Sequence, residues 1–441
     1  MTTTDVKGPE SAGDPVANEV VGGAAGAAPV LAQEAISADG KTPAGKRGPQ
    51  LEDEGIALGE KKKGSAATRG ERRRSFDVAE FSRPTTKSEE WRFTPLRVLA
   101  PLFEDRPTDD REGDPAVDYE VSVPEGGAEA GTLAPGQAPR GQALVPEDIT
   151  SAVASARCEQ ALHLRAPRGA EIVEPYRVTM HGNGADRRAN AHLVLQTEES
   201  STATFVLDHT GSAQVAENVE MIVGDNSQMT VISLQNWEDD ALHISTHHSA
   251  VGRDARLKHI VVSLGGRAVR VNAIGEFTAP GGELEKLGLY FADSDQFLEH
   301  RIFVDHAAPN CTSNSAYKGA LQGSGARSVW VGDVLIRREA EGTSTYELNR
   351  NLVLTEGARA DSVPNLEIET GEIEGAGHAA ATGRFDDEQL FYLRARGIPE
   401  LEARRLVVRG FFAELIQQID VPEIRQALLD SIEDELQRSM N

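Results

Sequence analysis

Three stretches decide the fold: Gly224-Asp-Asn-Ser-Gln-Met-Thr-Val-Ile-Ser-Leu234, Gly252-Arg-Asp-Ala-Arg-Leu-Lys-His-Ile-Val-Val-Ser-Leu264 and Gly281-Gly-Glu-Leu-Glu-Lys-Leu-Gly-Leu-Tyr-Phe291. Each begins at a glycine, passes through polar or small residues and ends in a run of β-formers, and the leading glycines lie 28 and 29 residues apart. That interval falls within the period of stacked repeats, in which each coil lays two or three short strands beneath those of the previous one. Alternating side chains then point into a narrow core while their neighbours face outward. The expected fold is mainly β, a parallel β-helix over residues 169–383. An antiparallel sandwich also alternates, but it does not explain the near-constant glycine interval.

Working outward, strand character starts at Glu171-Ile-Val-Glu-Pro-Tyr-Arg-Val178 and continues through Ala191 to Gln196, Ala203 to Asp208 and Val219 to Val223. The final coils include Ser328 to Ile336, Asn351 to Leu354 and Leu366 to Ile368. Beyond Gly383 the spacing turns helical, with a stripe of Leu401, Leu406, Val407, Phe411, Phe412, Leu415 and Ile416, then a second helix opened by Pro422. Residues 384–441 are therefore read as a C-terminal helical region.

On the N-terminal side, residues 1–70 are rich in Ala, Gly, Pro and charge and carry no aromatic side chain, so they read as a disordered arm. Residues 71–168 form a partly helical region. Within it, Ser88 is placed to cap a short helix bearing Glu89, Glu90, Trp91 and Phe93. Residues 105–140 read as a loosely ordered Gly- and Pro-rich excursion, and a modest helix is expected between Val145 and Leu164.

The 441 residues carry a net charge of -25, which argues against a nucleic-acid surface. The basic runs Lys61 to Lys63 and Arg69 to Arg74 read as a solvated linker. Two cysteines, Cys158 and Cys311, are too few for a disulfide scaffold or an all-cysteine metal site. The first residues lack a basic-then-apolar signal pattern and no segment is apolar enough to span a bilayer, so a reducing cytoplasm is the expected compartment. No phosphate loop and no dinucleotide fingerprint occurs, so any energy from ATP has to come through a partner.

Among the 11 histidines, His243 and His247 share a strand face that a neighbouring coil could extend with His259, but no local cysteine or acid completes a ligand set. His300 and His306 flank Arg301-Ile-Phe-Val-Asp305 on one face, next to Glu299. Cys311 is a candidate for transient sulfur or metal binding. The last candidate is His378, alone at the end of Pro364-Asn-Leu-Glu-Ile-Glu-Thr-Gly-Glu-Ile-Glu-Gly-Ala-Gly-His378. A coiled sheet ending on one imidazole suits half of a shared site.

Several fragments, in this order along the chain, resemble the SufB/SufD family of scaffold subunits of the SUF iron-sulfur cluster assembly machinery, and within it the SufD branch. They are Lys87-Ser-Glu-Glu-Trp-Arg-Phe-Thr-Pro-Leu96, His300 to Asn314, Tyr317-Lys-Gly-Ala320, Gly377-His-Ala-Ala-Ala-Thr-Gly383 and Asp386 to Gly397. The resemblance implies a right-handed β-helix flanked by helical ends, a complex with a SufB-like paralogue and two copies of a SufC-like ABC ATPase, and no catalysis by this chain. It also implies that ATP is bound by the SufC partner, that a transient iron-sulfur cluster is shared with SufB, and that His378 sits at that boundary as a candidate iron ligand. The helical end would dock the ATPase, with Leu401, Leu406, Phe411, Phe412 and Leu415 as candidate contacts. In isolation the chain could form a homodimer. Relatives often carry a cysteine two residues before this histidine where Ala376 stands here, so sulfur ligands would come mainly from SufB. The competing readings are a SufB-like principal cluster and sulfur acceptor, which the scarcity of cysteine disfavours, and a β-helix polysaccharide-degrading enzyme, for which no acidic constellation is visible.

Overall fold

A computed structural model describes Gly70, residues 72–385 and residues 387–438. Apart from Gly70, the arm read as disordered lies outside the described residues.

The coils begin with two long strands, β4 (Tyr176–Thr197) and β5 (Thr202–Val223), preceded by β1 (Val117–Ser122), β2 (Gly131–Leu133), helix α1 (Ile149–Arg157) and β3 (Ala161–Ala166). Shorter strands follow: β6 (Gln228–Gln235), β7 (Leu242–Val251), β8 (Arg256–Ser263), β9 (Ala268–Phe277), β10 (Glu283–Ala292) and β11 (Phe297–His306). The series closes with β12 (Thr312–Leu321), β13 (Arg327–Ile336), β14 (Ser344–Val353), β15 (Arg359–Ile368) and β16 (Gly375–Arg384). Even-numbered strands from β6 to β16 stack in parallel on the first half of β5, and odd-numbered strands from β7 to β15 stack on its second half. Each turn of the chain thus contributes one strand to each of two faces, and the expected parallel β-helix is present.

The corners explain the spacing. Before β5 and before each even strand from β6 to β14 one residue takes the left-handed conformation: Ser200, Asn226, Asp254, Gly281, Asn310 and Gly342. Each donates its N–H to a carbonyl of the next coil's corner, at residues 225, 253, 280, 309, 341 and 372 respectively. Asn, Asp and Gly tolerate that conformation best, which is why they recur. The three leading glycines of the sequence are not equivalent, however. Gly281 itself occupies the left-handed position, whereas Gly224 and Gly252 lie two residues before it, where a Cβ would meet Thr197 O at 2.7 Å and Val223 O at 2.9 Å.

Inward side chains build one long apolar core, from Tyr176 and Phe205 through Val231, Leu257 and Phe277 to Trp330 and Ile336. The outer faces are covered separately. Trp91, Leu99, Leu102, Phe103, Ile149 and Val153 cover the odd face. Helices α2 (Asp387–Ala395), α3 (Glu400–Ile416) and α4 (Pro422–Arg438) follow β16, and Val408, Phe412, Leu415, Ile424, Leu428 and Ile432 from the last two cover Ile232, Ile260, Leu287 and Leu289 on the even face.

Four expectations need correction. Residues 105–140 are not merely an excursion, because β1 pairs antiparallel with β4 and β2 with β3, giving their backbone groups partners that a loop would lack. The helix expected up to Leu164 stops at Arg157, capped at its start by Asp148, and Leu164 belongs to β3. Ser88 makes no side-chain cap. It precedes a single turn, Glu89–Trp91, that is held by Trp91 under the Arg270 guanidinium, 3.8 Å from the ring centre. Arg72 is half-buried rather than fully solvated, and both it and the exposed Arg74 are tied to Glu147, at 3.4 and 3.0 Å.

Phe412 and Leu415, two candidate docking residues, are buried against the chain's own sheet. Truncating Phe412 to Ala should cost about 3–5 kcal/mol of stability in denaturant unfolding, as for other buried aromatics, whereas Leu406→Ala on the exposed side of α3 should stay within about 0.5 kcal/mol. Equal, small effects would contradict this placement.

Candidate functional site

His378 lies in β16, the last strand of the even stack, and its side chain is exposed. Strand β16 pairs with β14 on one side, β15 pairs with β13, and among the described residues no strand continues either stack. All ten residues of β15 are at least partly exposed. The coil therefore ends open, with two free backbone edges and part of its core showing.

Register connects that end to the interior. Reading across the even stack, His259 is paired with Lys286, Lys286 with Ser315, Ser315 with Glu347 and Glu347 with His378. Neighbouring rungs of a sheet lie about 4.8 Å apart, so polar side chains occupy one inward line from a deep imidazole to the exposed one. His259, Lys286, Ser315 and Glu347 are all buried. Among the described residues the Lys286 ammonium has no hydrogen-bond partner, and burial pushes its pKa down to about 7. At the head of the line, His247 Nδ1 and His259 Nε2 are 2.9 Å apart, which confirms that a neighbouring coil brings these two rings together.

The interior also holds an acid that the sequence reading did not find. Glu217 on β5 lies 3.0 Å from His209 Nε2 and 3.3 Å from His243 Nε2, and accepts a 2.7 Å hydrogen bond from Ser245. Burial alone would raise the Glu217 carboxyl, but the His209 charge and the hydrogen bonds from both rings hold it well below the usual range. The donor atoms of His209, Glu217 and His243 fall within 4.8 Å of one another, a spacing that a metal ion could bridge. Tautomers argue otherwise. The Trp237 indole N–H donates to His243 Nδ1 at 3.1 Å, which leaves the proton of a neutral ring on Nε2, the atom a metal would need. His209 Nδ1 is 2.9 Å from the Leu234 carbonyl, and Glu217 raises the His209 pKa despite its burial. The group is a buried ion pair braced by a second histidine. Glu217 was missed because it belongs to a neighbouring coil, and only the inward alternation of Val215, Glu217 and Val219 could have placed it.

The other candidates separate. His300 and His306 face inward against Ser263 and Ser313, at 3.0 and 2.8 Å. Glu299 points to the outer face, where Arg270, Arg301 and Thr94 hold it, so no acid-base pair forms. Cys311 is buried in the corner before β12, its thiol 3.4 Å from Pro309 O and pushed up in pKa by burial. The adjacent Thr312 is in line with Ser344 and then Gly375, and His378 lies further along β16, so the two are not brought together. Of the docking candidates, Leu401 lies in α3 with its side chain outside the described ones, Phe411 is half-buried beside the Lys318 ammonium, and Leu406 is 43% exposed. More exposed apolar surface lies on α2, at Phe391 (74%) and Tyr392 (57%).

Residues 179–411 match the family model described as the SUF system FeS cluster assembly, SufBD core domain. An iron-sulfur cluster assembly SufBD family protein of Mycobacterium bovis is 50% identical over 381 residues, covering 85% of this chain and 94% of the relative. One from Mycobacterium leprae is 48% identical over the same length, covering 84% and 95%. The iron-sulfur cluster assembly protein SufD of Bacillus subtilis is 25% identical over 296 residues, 66% of this chain and 67% of its own. The chain belongs to the SufBD family, and its role is that of a non-catalytic scaffold in iron-sulfur cluster assembly. Among the described residues no helix is long and apolar enough to cross a membrane.

The buried histidines set an acid limit on this scaffold. Burial holds His247, His300 and His306 at about 3, from an ordinary 6.5, so they stay neutral in the fold while the unfolded chain takes up protons below about 6.5. Their contribution is present above that value and lost as pH falls towards 3, at up to about 1.4 kcal/mol per pH unit for each ring. Glu217 adds to the loss further down, and His209 runs the opposite way, its contribution fading on the alkaline side. Unfolding free energy measured between pH 7 and 5 should fall more steeply than one proton allows, and His300→Gln should reduce that slope. A flat profile would contradict the burial of these rings.

Proposed function

We propose that this SufBD family member is the SufD-type half of a SufB-SufC-SufD assembly, and that its open end at β15 and β16 joins a SufB-like paralogue to form the site where a nascent iron-sulfur cluster is built. The observation that carries this reading is the exposed His378 on a strand paired on one side alone among the described residues, at the end of a polar line that runs into the coil. Free parallel edges are templates for pairing with another chain, and a paralogous coil presents matching edges. Here the cluster is cargo. His378 offers one imidazole to it, and Ala376 leaves no thiolate beside that ring, so the sulfur ligands come from the partner. Both thiols of this chain are buried, which disfavours the alternative in which it is the principal sulfur acceptor.

Energy would enter through a SufC-like ATPase that binds the nucleotide. The contact moves from Phe412 and Leu415 to the exposed apolar side chains Phe391, Tyr392 and Leu406 on α2 and α3. Closure of two ATPase copies would pull on the helical ends and reshape the shared boundary, an allosteric step if nucleotide favours one of two arrangements. The reducing cytoplasm suits both the cargo and two free thiols.

Two measurements test this. Co-purification with the SufB-like and SufC-like partners, followed by ATP-dependent cluster formation, should give an intact complex but a severalfold lower cluster yield for His378→Ala. An unchanged yield would remove the imidazole from the chemistry. Phe391→Ala should weaken ATPase binding by about thirtyfold, as expected for an aromatic anchor worth about 2 kcal/mol, without shifting thermal stability. Unchanged affinity would move the docking surface elsewhere.

A further inference from the structure

Where the coils begin, many rungs away from His378, the N-terminal segment folds over the outside of β4 and β5 and encloses a second set of reactive groups. Helix α1 ends at Arg157, and the next residue, Cys158, is held by its backbone. The Arg140 guanidinium donates to the carbonyls of Leu133, Ser155 and Cys158 at 3.0, 2.8 and 2.8 Å. The Cys158 thiol donates to Gln160 O at 3.4 Å and accepts the backbone N–H of His192, so sulfur and imidazole share one corner.

The His192 ring is oriented from behind. Glu220 accepts three backbone N–H groups, from Gly141 at 2.7 Å, Ala143 at 3.0 Å and Leu144 at 3.1 Å. Its other close partner is His192 Nε2, at 2.8 Å. Burial would raise the Glu220 carboxyl, but the His192 and backbone hydrogen bonds hold it below its ordinary value, while burial lowers His192. A neutral ring facing a carboxylate puts its proton on Nε2, which leaves the lone pair on Nδ1. Among the described residues that Nδ1 has no hydrogen-bond partner, although His192 is only 2% exposed. A buried acceptor without a partner costs free energy and calls for an explanation. Beside it is a cavity of about 550 Å³, lined by Cys158, His192, Asp110, Glu159 and Asn190 among others.

We propose that this cavity binds a thiophilic divalent metal ion of the zinc class through Cys158 Sγ and His192 Nδ1, with Glu220 as the positioning residue. A carboxylate that accepts the far N–H of an imidazole is the usual support for a metal-binding histidine, and a soft sulfur donor selects the ion class. Binding replaces the thiol proton by the metal and releases that proton to solvent. Water in the cavity fills the remaining coordination positions. Burial keeps the free thiol protonated by raising its pKa, so the site is chemically quiet until a cation arrives. The site shares no residue with the cluster-assembly end.

The test uses the purified full-length chain and Co²⁺ or Zn²⁺ alone. One equivalent of Co²⁺ should produce thiolate-to-cobalt absorption that is lost in Cys158→Ser and retained in Cys311→Ser, the chain having 2 cysteines in all. His192→Gln should weaken binding about tenfold or more. Because that variant removes a buried contact, a measurement on the unaltered chain stands beside it: Zn²⁺ should slow alkylation of Cys158, mapped by mass spectrometry, at least about tenfold. Absence of the absorption, its survival in Cys158→Ser, or an alkylation rate indifferent to Zn²⁺ would each overturn the proposal.

Discussion

Every functional statement about this chain depends on the parallel register that locks each coil onto the next. A strand of the even stack is joined to its neighbours residue by residue, and each corner adds one N–H from a left-handed residue to a carbonyl of the following coil. Because side chains alternate with a period of two, a slip of one residue would turn the whole inward line outward. The register therefore fixes more than stability. It decides which residue of each coil shares a line with His378.

That line sets a buried interior apart from the one exposed ring at its end. Several ionisable groups in the interior are kept in uncharged or paired states, His247, His300 and His306 by burial and Glu217 by its histidines. Along the line from His259, the imidazole at the last rung is the one that reaches solvent. With the two outer faces covered, β15 and β16 are where strand edges and part of the core stay uncovered among the described residues. The helices on the even face are anchored by Phe412, Leu415 and Ile432, which ties whatever they contact to the same sheet that carries His378.

Much of this was legible in the sequence, for a physical reason. Coil closure demands a residue tolerant of the left-handed conformation about once per coil, and Gly, Asn and Asp at those corners wrote the period into the chain. The same signal misled in detail, because glycine also serves where backbone approaches backbone, as at Gly224 and Gly252. Residues 105–140 read as loop because β1 and β2 are short and find their partners far along the chain. The apolar stripe on α3 was read correctly as a stripe but assigned to a partner, since spacing cannot say whether the face it fits is in another protein or in the same one. Glu217 and His192 were invisible as site residues for a related reason: their partners come from other coils or from the N-terminal segment, and no local motif records that meeting.

The central claim is that β15 and β16 are the mating end. Backbone hydrogen exchange, compared between the free chain and its complex with a SufB-like paralogue, addresses it directly. The account predicts strong new protection in residues 359–368 and 375–384, with little change in the coils around β7 to β10. Unaltered exchange at β16, with protection appearing on an outer face instead, would contradict it.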